Sequence, residues 1–171
     1  QVFTVTGGGA MHLNDSLGHH PGLSCLYHHH EQAAAMAAEA YARVDNRMAA
    51  VCVTSGPGAT NAITGALCAW MDSIPMLVLS GQVRYDTTVR HSGLKIRTMG
   101  VQEYDITPSV EPMTKYAVMV TDPLTIRYHL ERAIYLAKTG RPGPCWLDLP
   151  LNVQSAIIET DDLRAYDPKE D

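Results

Sequence analysis

The chain has 171 residues, of which 46% are hydrophobic and 18% are charged, and its formal net charge is −5 at pH 7. This length and composition predict one globular domain with a sizeable buried core. The acidic balance and the aromatic content of 6% argue against nucleic-acid binding, which needs basic surfaces or stacking platforms. No apolar run approaches the roughly 18 residues that span a bilayer, so no membrane partner is expected.

Four cysteines are scattered along the chain and show neither CxxC nor zinc-site spacing. Three of them lie in apolar, strand-like runs and the fourth lies in a helix-like run. Buried free thiols are typical of proteins in a reducing compartment. We therefore interpret the cysteines as packing residues and predict a cytoplasmic location.

Predicted strands and helices alternate along the chain, apart from one long loop. In order, the sequence predicts strand Val2–Thr6, helix Ala10–Leu17, strand Leu23–His28, helix Glu31–Val44, strand Met48–Thr54, helix Ala59–Met71, strand Met76–Leu79, loop Ser80–Gly100, helix Val101–Val110, strand Tyr116–Val120, a helix from the cap Asp122 to about Thr139, and strand Pro144–Leu149. This alternation predicts a three-layer α/β fold, with helices on both faces of a mostly parallel sheet of about six strands.

Three turns at predicted strand ends are candidates for ligand binding. They are Gly7–Gly9, the corner at Glu31, and Ser55–Gly58. The carboxyl ends of parallel strands lie at one edge of a sheet, so these turns are expected to converge there. Glycines let a ligand approach the backbone closely. Neither glycine turn matches a P-loop or GxGxxG motif, so tight structural turns remain the alternative interpretation.

Glu31 follows the histidine run His28–His30 and opens an alanine-rich segment. Its carboxylate is either a favourable charge at a helix amino terminus or an acid with a chemical task. A metal site is a weaker interpretation, because consecutive strand residues point to alternating faces, and we predict no metal ligand. Asp72 and Asp148 lie near the ends of elements and are expected to be surface or capping residues.

Several segments together resemble the amino-terminal, pyrimidine-binding domain of thiamine diphosphate enzymes, in particular that of the large catalytic subunit of acetolactate synthases. The resemblance covers most of the chain, from Val2 to Gln154. The pairing of HEQ-A with SGPGATN, in this order and at this separation, is a specific signal. The segments are HEQAAAMAAEAYARV, VTSGPGATNAITGALCAWMDSIPMLVLSGQV, VQEYDI, ITPSVEPMTKYA and GRPGPCWLDLPLNVQ.

The resemblance implies roles for individual residues. Glu31 matches the glutamate that activates the cofactor by exchanging a proton with its aminopyrimidine ring. Pro57 and Asn61 match residues that line the pyrimidine pocket. The family's Gly-Gly turn near the reacting carbon corresponds to Gly8 and Gly9, and Gln102 matches a glutamine near the substrate.

The resemblance also implies an activity and its requirements. Acetolactate synthases decarboxylate pyruvate and join its two-carbon unit to a second 2-keto acid, in branched-chain amino acid biosynthesis. They use thiamine diphosphate, with Mg²⁺ and FAD held mainly by other domains. The active site lies between subunits of a dimer or tetramer, and a regulatory subunit is a further partner. The Mg²⁺-binding GDG motif does not occur in this chain, so the isolated domain is expected to be inactive.

We expect residues 1–153 to form the pyrimidine-binding domain and residues 154–171 to form a linker toward a middle domain. Thr6 and Val101 replace the usual proline and phenylalanine of the family, and the 80–100 loop is longer than in ordinary acetolactate synthases. These departures leave open another thiamine-dependent decarboxylase or carboligase with a different acceptor, such as a keto-sugar. A non-catalytic α/β binding module is the alternative of another class.

Overall fold

The computed structural model describes the backbone of residues 1–171 and every side chain except that of Asp45. Its strands, numbered in chain order, are β1 Val2–Thr4, β2 Cys25–Tyr27, β3 Ala49–Val53, β4 Met76–Gln82, β5 Tyr116–Met119 and β6 Pro144–Pro150. They form a single sheet in the spatial order β2-β1-β3-β4-β6-β5. Every pair of neighbouring strands is parallel, which confirms the predicted α/β class.

The α-helices cover both faces of the sheet. They are α1 Met11–His19, α2 Glu31–Asp45, α3 Pro57–Asn61, α4 Ile63–Met71, α5 Val89–Ser92, α6 Thr107–Val110, α7 Ile126–Lys138 and α8 Leu151–Gln154. One apolar core joins α2, α4 and α6 to the sheet. A second core, on the other face, contains residues of α7 and of the segment around α8.

The central strands are nearly continuous apolar runs because both of their faces are covered. Val51, Val78 and Trp146 lie side by side on β3, β4 and β6 and are all fully buried.

Two of the cysteines are buried in these strands. Burial raises the pKa of the Cys52 and Cys145 thiols to about 12, which makes both thiols unreactive near neutral pH. The four cysteines are free, as the sequence predicts, although Cys25 and Cys68 are only partly buried.

Helix α2 packs closely on the sheet and on α4 because its buried face consists mainly of alanines. Ala34, Ala35 and Ala38 are fully buried. A Cβ added to Gly65 of α4 would lie 2.4 Å from Cβ of Ala35, so the two helices meet where neither has a bulky side chain. This close packing fixes the start of α2, and therefore Glu31, relative to α3 and α4.

The direction of the chain reverses around β1, which pairs with β2 on one side and β3 on the other. The chain leaves β1 toward the edge strand β2 and then crosses back to β3. In open α/β sheets, ligands bind in the crevice at the carboxyl ends of the strands where such a reversal occurs. The topology therefore selects the turns after β1, β2 and β3 as the place to look for a site.

Some predicted boundaries are wrong, mostly around the long loop. Strand β4 continues to Gln82, and the rest of the predicted loop contains a 3-10 turn at Tyr85–Thr87 and helix α5. The helix predicted over Val101–Val110 is limited to its last four residues. The helix predicted over Ala59–Met71 starts earlier, at Pro57, and is interrupted at Ala62.

The segment after β6 packs back onto α7. Leu163 and Tyr166 are buried, and the ring of Tyr166 contacts those of Tyr128 and Tyr135. Asp171 forms an ion pair with Arg132 of α7. None of the helices among the described residues has the length and apolar character needed to cross a membrane.

Candidate functional site

Thr54, at the end of β3, joins the turn after β1 to the start of α3. Its Oγ1 accepts a hydrogen bond from the backbone N–H of Gly9 over 3.0 Å. A Cβ added to Gly7 would lie 2.4 Å from Cβ of Thr54, and one added to Gly58 would lie 2.7 Å from its Cγ2. The turn Gly7–Gly9, called the glycine turn below, and α3 therefore both contact Thr54. A side chain at Gly7 or Gly58 would push them apart.

The glycine turn is also fixed on its other side. A Cβ on Gly81 of β4 would lie 2.0 Å from the carbonyl oxygen of Gly9, so only a glycine allows this approach. Gln154 of α8 donates from Nε2 to the same carbonyl over 2.7 Å. Gly8 is exposed and a Cβ there would meet nothing within 4 Å. The turn is held by Gly9, and open space lies in front of Gly8.

Glu31 is the first residue of α2, and its carboxylate turns toward α3. Asn61 donates from Nδ2 to Glu31 Oε2 over 2.9 Å. A Cβ on Gly58 would lie 3.4 Å from Glu31 Oε1, at ordinary contact distance. Glu31 is half-buried and Asn61 is exposed. The structure thus brings together two predicted site residues from separate helices.

The histidines before Glu31 have local structural contacts. His30 is the amino-terminal cap of α2, and its Nδ1 accepts the backbone N–H of Gln32 over 3.1 Å. The ring nitrogen Nδ1 of His28 lies 3.1 Å from the carbonyl oxygen of Leu26. Among the described residues, no group of three or more His, Cys, Asp or Glu side chains could hold a metal ion.

Gln102 lies against the start of α3 in an unusual backbone conformation. Its φ is +58°, and the φ of Gly56 is +54°. A Cβ on Gly56 would lie 2.0 Å from the carbonyl oxygen of Gln102, so the two segments touch through their backbones. Between them is a cavity of about 610 Å³, which is lined by Gly56, Pro57, Thr60, Arg97, Thr98, Gly100, Gln102, Glu103 and Tyr104.

Glu103 holds the segment that carries Gln102. Its Oε2 accepts the backbone N–H groups of Met99 and Gly100 over 2.9 and 3.1 Å. Its Oε1 accepts the N–H of Val89 over 2.5 Å. The side chain therefore connects the two ends of the 89–103 segment. The sequence prediction missed this role, because the partners of Glu103 are backbone N–H groups, one of them 14 residues away, that give no signal in the sequence.

A buried polar network on β4 and β6 contacts the segment that carries Gln102. Gln82 donates from Nε2 to the carbonyl oxygen of Tyr104 over 2.8 Å and to Oδ2 of Asp148 over 3.1 Å. Ser80 donates to Asp148 Oδ1 over 2.6 Å and accepts the indole N–H of Trp146 over 2.8 Å. The expectation that Asp148 is a surface or capping residue is wrong, because it is fully buried between β4 and β6.

Burial raises the pKa of Asp148 to about 7, although the hydrogen bonds from Ser80 and Gln82 act in the opposite direction. Among the described side chains, no ion pair involves this carboxyl, and its partners are a hydroxyl and an amide. This network could not be predicted from the sequence, because Ser80, Gln82 and Asp148 come together only through the β4–β6 register. Asp72, by contrast, is exposed and pairs with Arg43, as expected for a surface residue.

Residues 1–104 match the family model of the amino-terminal TPP binding domain of thiamine pyrophosphate enzymes. The chain belongs to this family. The match confirms the resemblance found in the sequence. It covers the turns after β1, β2 and β3 and ends just beyond Gln102.

Members of the thiamine pyrophosphate enzyme family with similar sequences are acetolactate synthases. The large subunit from Lactococcus lactis subsp. lactis (strain IL1403) is 39% identical over 157 residues, which cover 92% of this chain and 26% of that subunit. The large subunit from Corynebacterium glutamicum is 40% identical, and the match covers 92% of this chain and 24% of that subunit. The mitochondrial acetolactate synthase of Schizosaccharomyces pombe is 37% identical, and the match covers 92% of this chain and 22% of that enzyme. The chain thus spans about a quarter of the length of these relatives.

Proposed function

We propose that this chain is the pyrimidine-binding domain of a thiamine diphosphate-dependent carboligase of the acetolactate synthase type. The observation that carries the proposal is the Glu31–Asn61 hydrogen bond at the reversal point of the sheet, in a chain of this family. A lone helix-start glutamate would need no side-chain partner from another helix. A carboxyl group held in one orientation beside an open crevice suits proton exchange with a bound ring.

The residues at the crevice suit an aminopyrimidine ring. Pro57 offers an apolar surface at the start of α3, and the Gly58 position leaves room beside Glu31 Oε1. Asn61 occupies Oε2, so Oε1 is the oxygen that would exchange a proton with the ring nitrogen. The open space at Gly8 lets the cofactor approach the backbone of the glycine turn.

Thiamine diphosphate supplies, when bound, a nucleophilic carbon that adds to the keto group of a 2-keto acid. This chain would hold the aminopyrimidine, with Glu31 and Gln102 as its catalytic residues. Gly8, Gly9, Pro57 and Asn61 would contact the cofactor. Mg²⁺ and FAD would be held mainly by parts of the protein outside these 171 residues, in a homodimer or homotetramer with the active site between subunits. A regulatory subunit and a cytoplasmic location complete the proposal.

In the proposed reaction, pyruvate loses CO₂ and its two-carbon unit forms a bond to the carbonyl carbon of an acceptor. The acceptor oxygen takes up one proton and becomes a hydroxyl. With a second 2-keto acid as acceptor, the product is an acetohydroxy acid. A keto-sugar is a second candidate acceptor, because the cavity beside Gln102 is lined by the end of the 80–100 loop and the residues that follow it, where the sequence departs from ordinary acetolactate synthases.

Product analysis of the full-length protein tests the proposal. With thiamine diphosphate and Mg²⁺, pyruvate should give CO₂ and acetolactate, and added 2-oxobutyrate should divert the two-carbon unit into acetohydroxybutyrate. CO₂ release with neither product would favour another acceptor and would exclude acetolactate synthase activity. No CO₂ release from a protein shown by calorimetry to bind the cofactor would contradict a decarboxylating carboligase.

A further inference from the structure

The cavity beside Gln102 has two different walls. One is the start of α3, where Gly56 and Pro57 lie next to the proposed pyrimidine site. The other is the irregular segment from Arg97 to Tyr104. A small molecule in this cavity would therefore lie between the proposed cofactor and a wall that the regular sheet does not provide.

The second wall is held in place by one of its own side chains and by one from β4. Glu103 ties Gly100 and Met99 to its own carboxylate, and Gln82 holds the carbonyl oxygen of Tyr104. Gln102 keeps a left-handed backbone conformation between these anchors. Since ordinary residues adopt that conformation only where the surroundings impose it, the shape of this wall is defined rather than adaptable.

The charges around the cavity leave one group available to a ligand. The Glu103 carboxylate is occupied by three backbone N–H groups. Arg84 is paired with Asp86, and Arg90 is paired with Asp105. Arg97 is the one basic residue among the described residues that line the cavity, and none of the described ion pairs involves it.

We propose that Arg97 binds an anionic group on the acceptor substrate, and so makes this site selective for charged acceptors. This inference rests on the proposed function and deepens it. The guanidinium forms a planar fork that matches a carboxylate or a phosphate. The anion is therefore the carboxylate of a 2-keto acid or the phosphate of a phosphorylated sugar.

Pairs of acceptors with and without the anionic group test the inference in the full-length protein, each acceptor being compared between the wild type and the variant. With pyruvate as donor, 2-oxobutyrate is compared with propanal, which lacks the carboxylate, and glyceraldehyde 3-phosphate is compared with glyceraldehyde. The pair whose charged member the wild type uses better is the informative one. For that charged acceptor, Arg97→Met should lower kcat/KM roughly 10–100-fold, because the variant loses hydrogen bonds to a charged group. For the neutral acceptor of the same pair, kcat/KM should change less than about threefold, because that acceptor has no charged group for Arg97 to bind.

Two further variants separate binding from folding. Lys95→Met removes an exposed charge two residues away that does not line the cavity, and it should leave the selectivity unchanged. Arg97→Lys keeps the cation and should retain part of the selectivity. As a readout other than turnover, 2-oxobutyrate or glyceraldehyde 3-phosphate should slow backbone hydrogen exchange of residues 98–104 in the wild type but not in Arg97→Met.

The inference would be overturned if Arg97→Met still preferred each charged acceptor to its neutral partner as the wild type does, and if the charged acceptors still slowed hydrogen exchange of residues 98–104. An equal loss for charged and neutral acceptors would overturn it too, because the residue would then only support the loop. The proposed function fails differently: the wild-type protein would release no CO₂ from pyruvate with bound cofactor.

Discussion

Asn61 donates a hydrogen bond to Glu31 over 2.9 Å, although the two residues are 30 positions apart in the sequence. They meet because α2 and α3 follow neighbouring turns at the same edge of the sheet. The small buried face of α2 allows its first turn to approach α3. The contact orients one carboxylate oxygen, while the other lies beside the Gly58 position of α3. The role of this carboxylate can be tested directly.

Replacement of Glu31 by Gln should keep the shape of the side chain but remove the exchangeable proton. In the full-length protein, proton–deuterium exchange at the reactive thiazolium carbon should slow by about 10²–10⁴-fold, the usual range for a general acid or base. The exchange can be followed by NMR after rapid quenching. Binding of thiamine diphosphate should change only modestly, since the neutral amide still fits the same space.

His29 provides the control for this variant. It is exposed and precedes the capping residue His30, whereas His28 lies against the ring of Phe3. His29→Ala should therefore leave the exchange rate unchanged. An equal rate in Glu31→Gln and the wild type would show that Glu31 serves only as a favourable charge at the start of α2.

The sequence was sufficient to predict the sheet because its central strands are apolar runs bounded by clear turns. It also predicted that the glycine turns and Glu31 would lie at one edge, since that follows from parallel strands. It could not predict the shape of the 80–105 segment. There the conformation depends on Glu103 and Gln82, whose partners are backbone groups that become neighbours only in the folded chain.

Asp148 shows a second limit of sequence-based prediction. An aspartate next to the end of a strand is usually exposed, and burial of a carboxyl is rare without a partner. Its partners Ser80 and Gln82 are about 70 positions earlier, at register positions set by pairing of β4 with β6. Only the strand order, which the sequence does not specify, brings them together.

Gly56→Ala should destabilise the domain and displace Gln102. The backbone of Gly56, with φ +54° and ψ −113°, is in a region that residues other than glycine rarely adopt, at a cost of about 1–3 kcal/mol. The new Cβ would also lie 2.0 Å from the carbonyl oxygen of Gln102, so the backbone must move. Gly93→Ala is the comparison: Gly93 also has a positive φ, of +65°, but its ψ of 8° is that of an ordinary left-handed cap, and a Cβ there would meet nothing within 4 Å.

Urea unfolding should show that Gly56→Ala lowers the free energy of unfolding by about 1–3 kcal/mol more than Gly93→Ala does, the usual range for overpacking. In the full-length protein, only Gly56→Ala should impair the use of the acceptor. Equal losses of stability in the two variants would mean that the Gln102 segment is free to move away.

Thr54→Val should loosen the glycine turn. Valine keeps the branched shape but removes the oxygen that accepts the N–H of Gly9, which typically costs about 1 kcal/mol. The affinity of the full-length protein for thiamine diphosphate, measured by calorimetry, should fall. Thr54→Ser retains the hydroxyl and should keep most of that affinity. A larger loss in Thr54→Ser than in Thr54→Val would show that the methyl group, rather than the hydrogen bond, positions the turn.

Asp148 should make the stability of the domain depend on pH. Burial raises its pKa from 3.8 to about 7, so the folded chain holds a proton that the unfolded chain releases. A carboxyl with a raised pKa contributes stability that is fully present below the unfolded value and is lost as pH rises through the folded value. The contribution of Asp148 to the free energy of unfolding should therefore fall by about 1.4 kcal/mol per pH unit between these two values and level off above the upper one.

Asp148→Asn isolates this contribution. The amide cannot ionise, and its oxygen can still accept the hydrogen bond from Ser80. Urea unfolding of both chains at pH 5 and pH 8 should show that the wild type loses more stability than Asp148→Asn over this interval. The other carboxyls are common to both chains, so the difference between the two pH profiles reports Asp148. Parallel profiles would mean that the carboxyl is already ionised at pH 5, with its charge carried by the hydrogen bonds from Ser80 and Gln82.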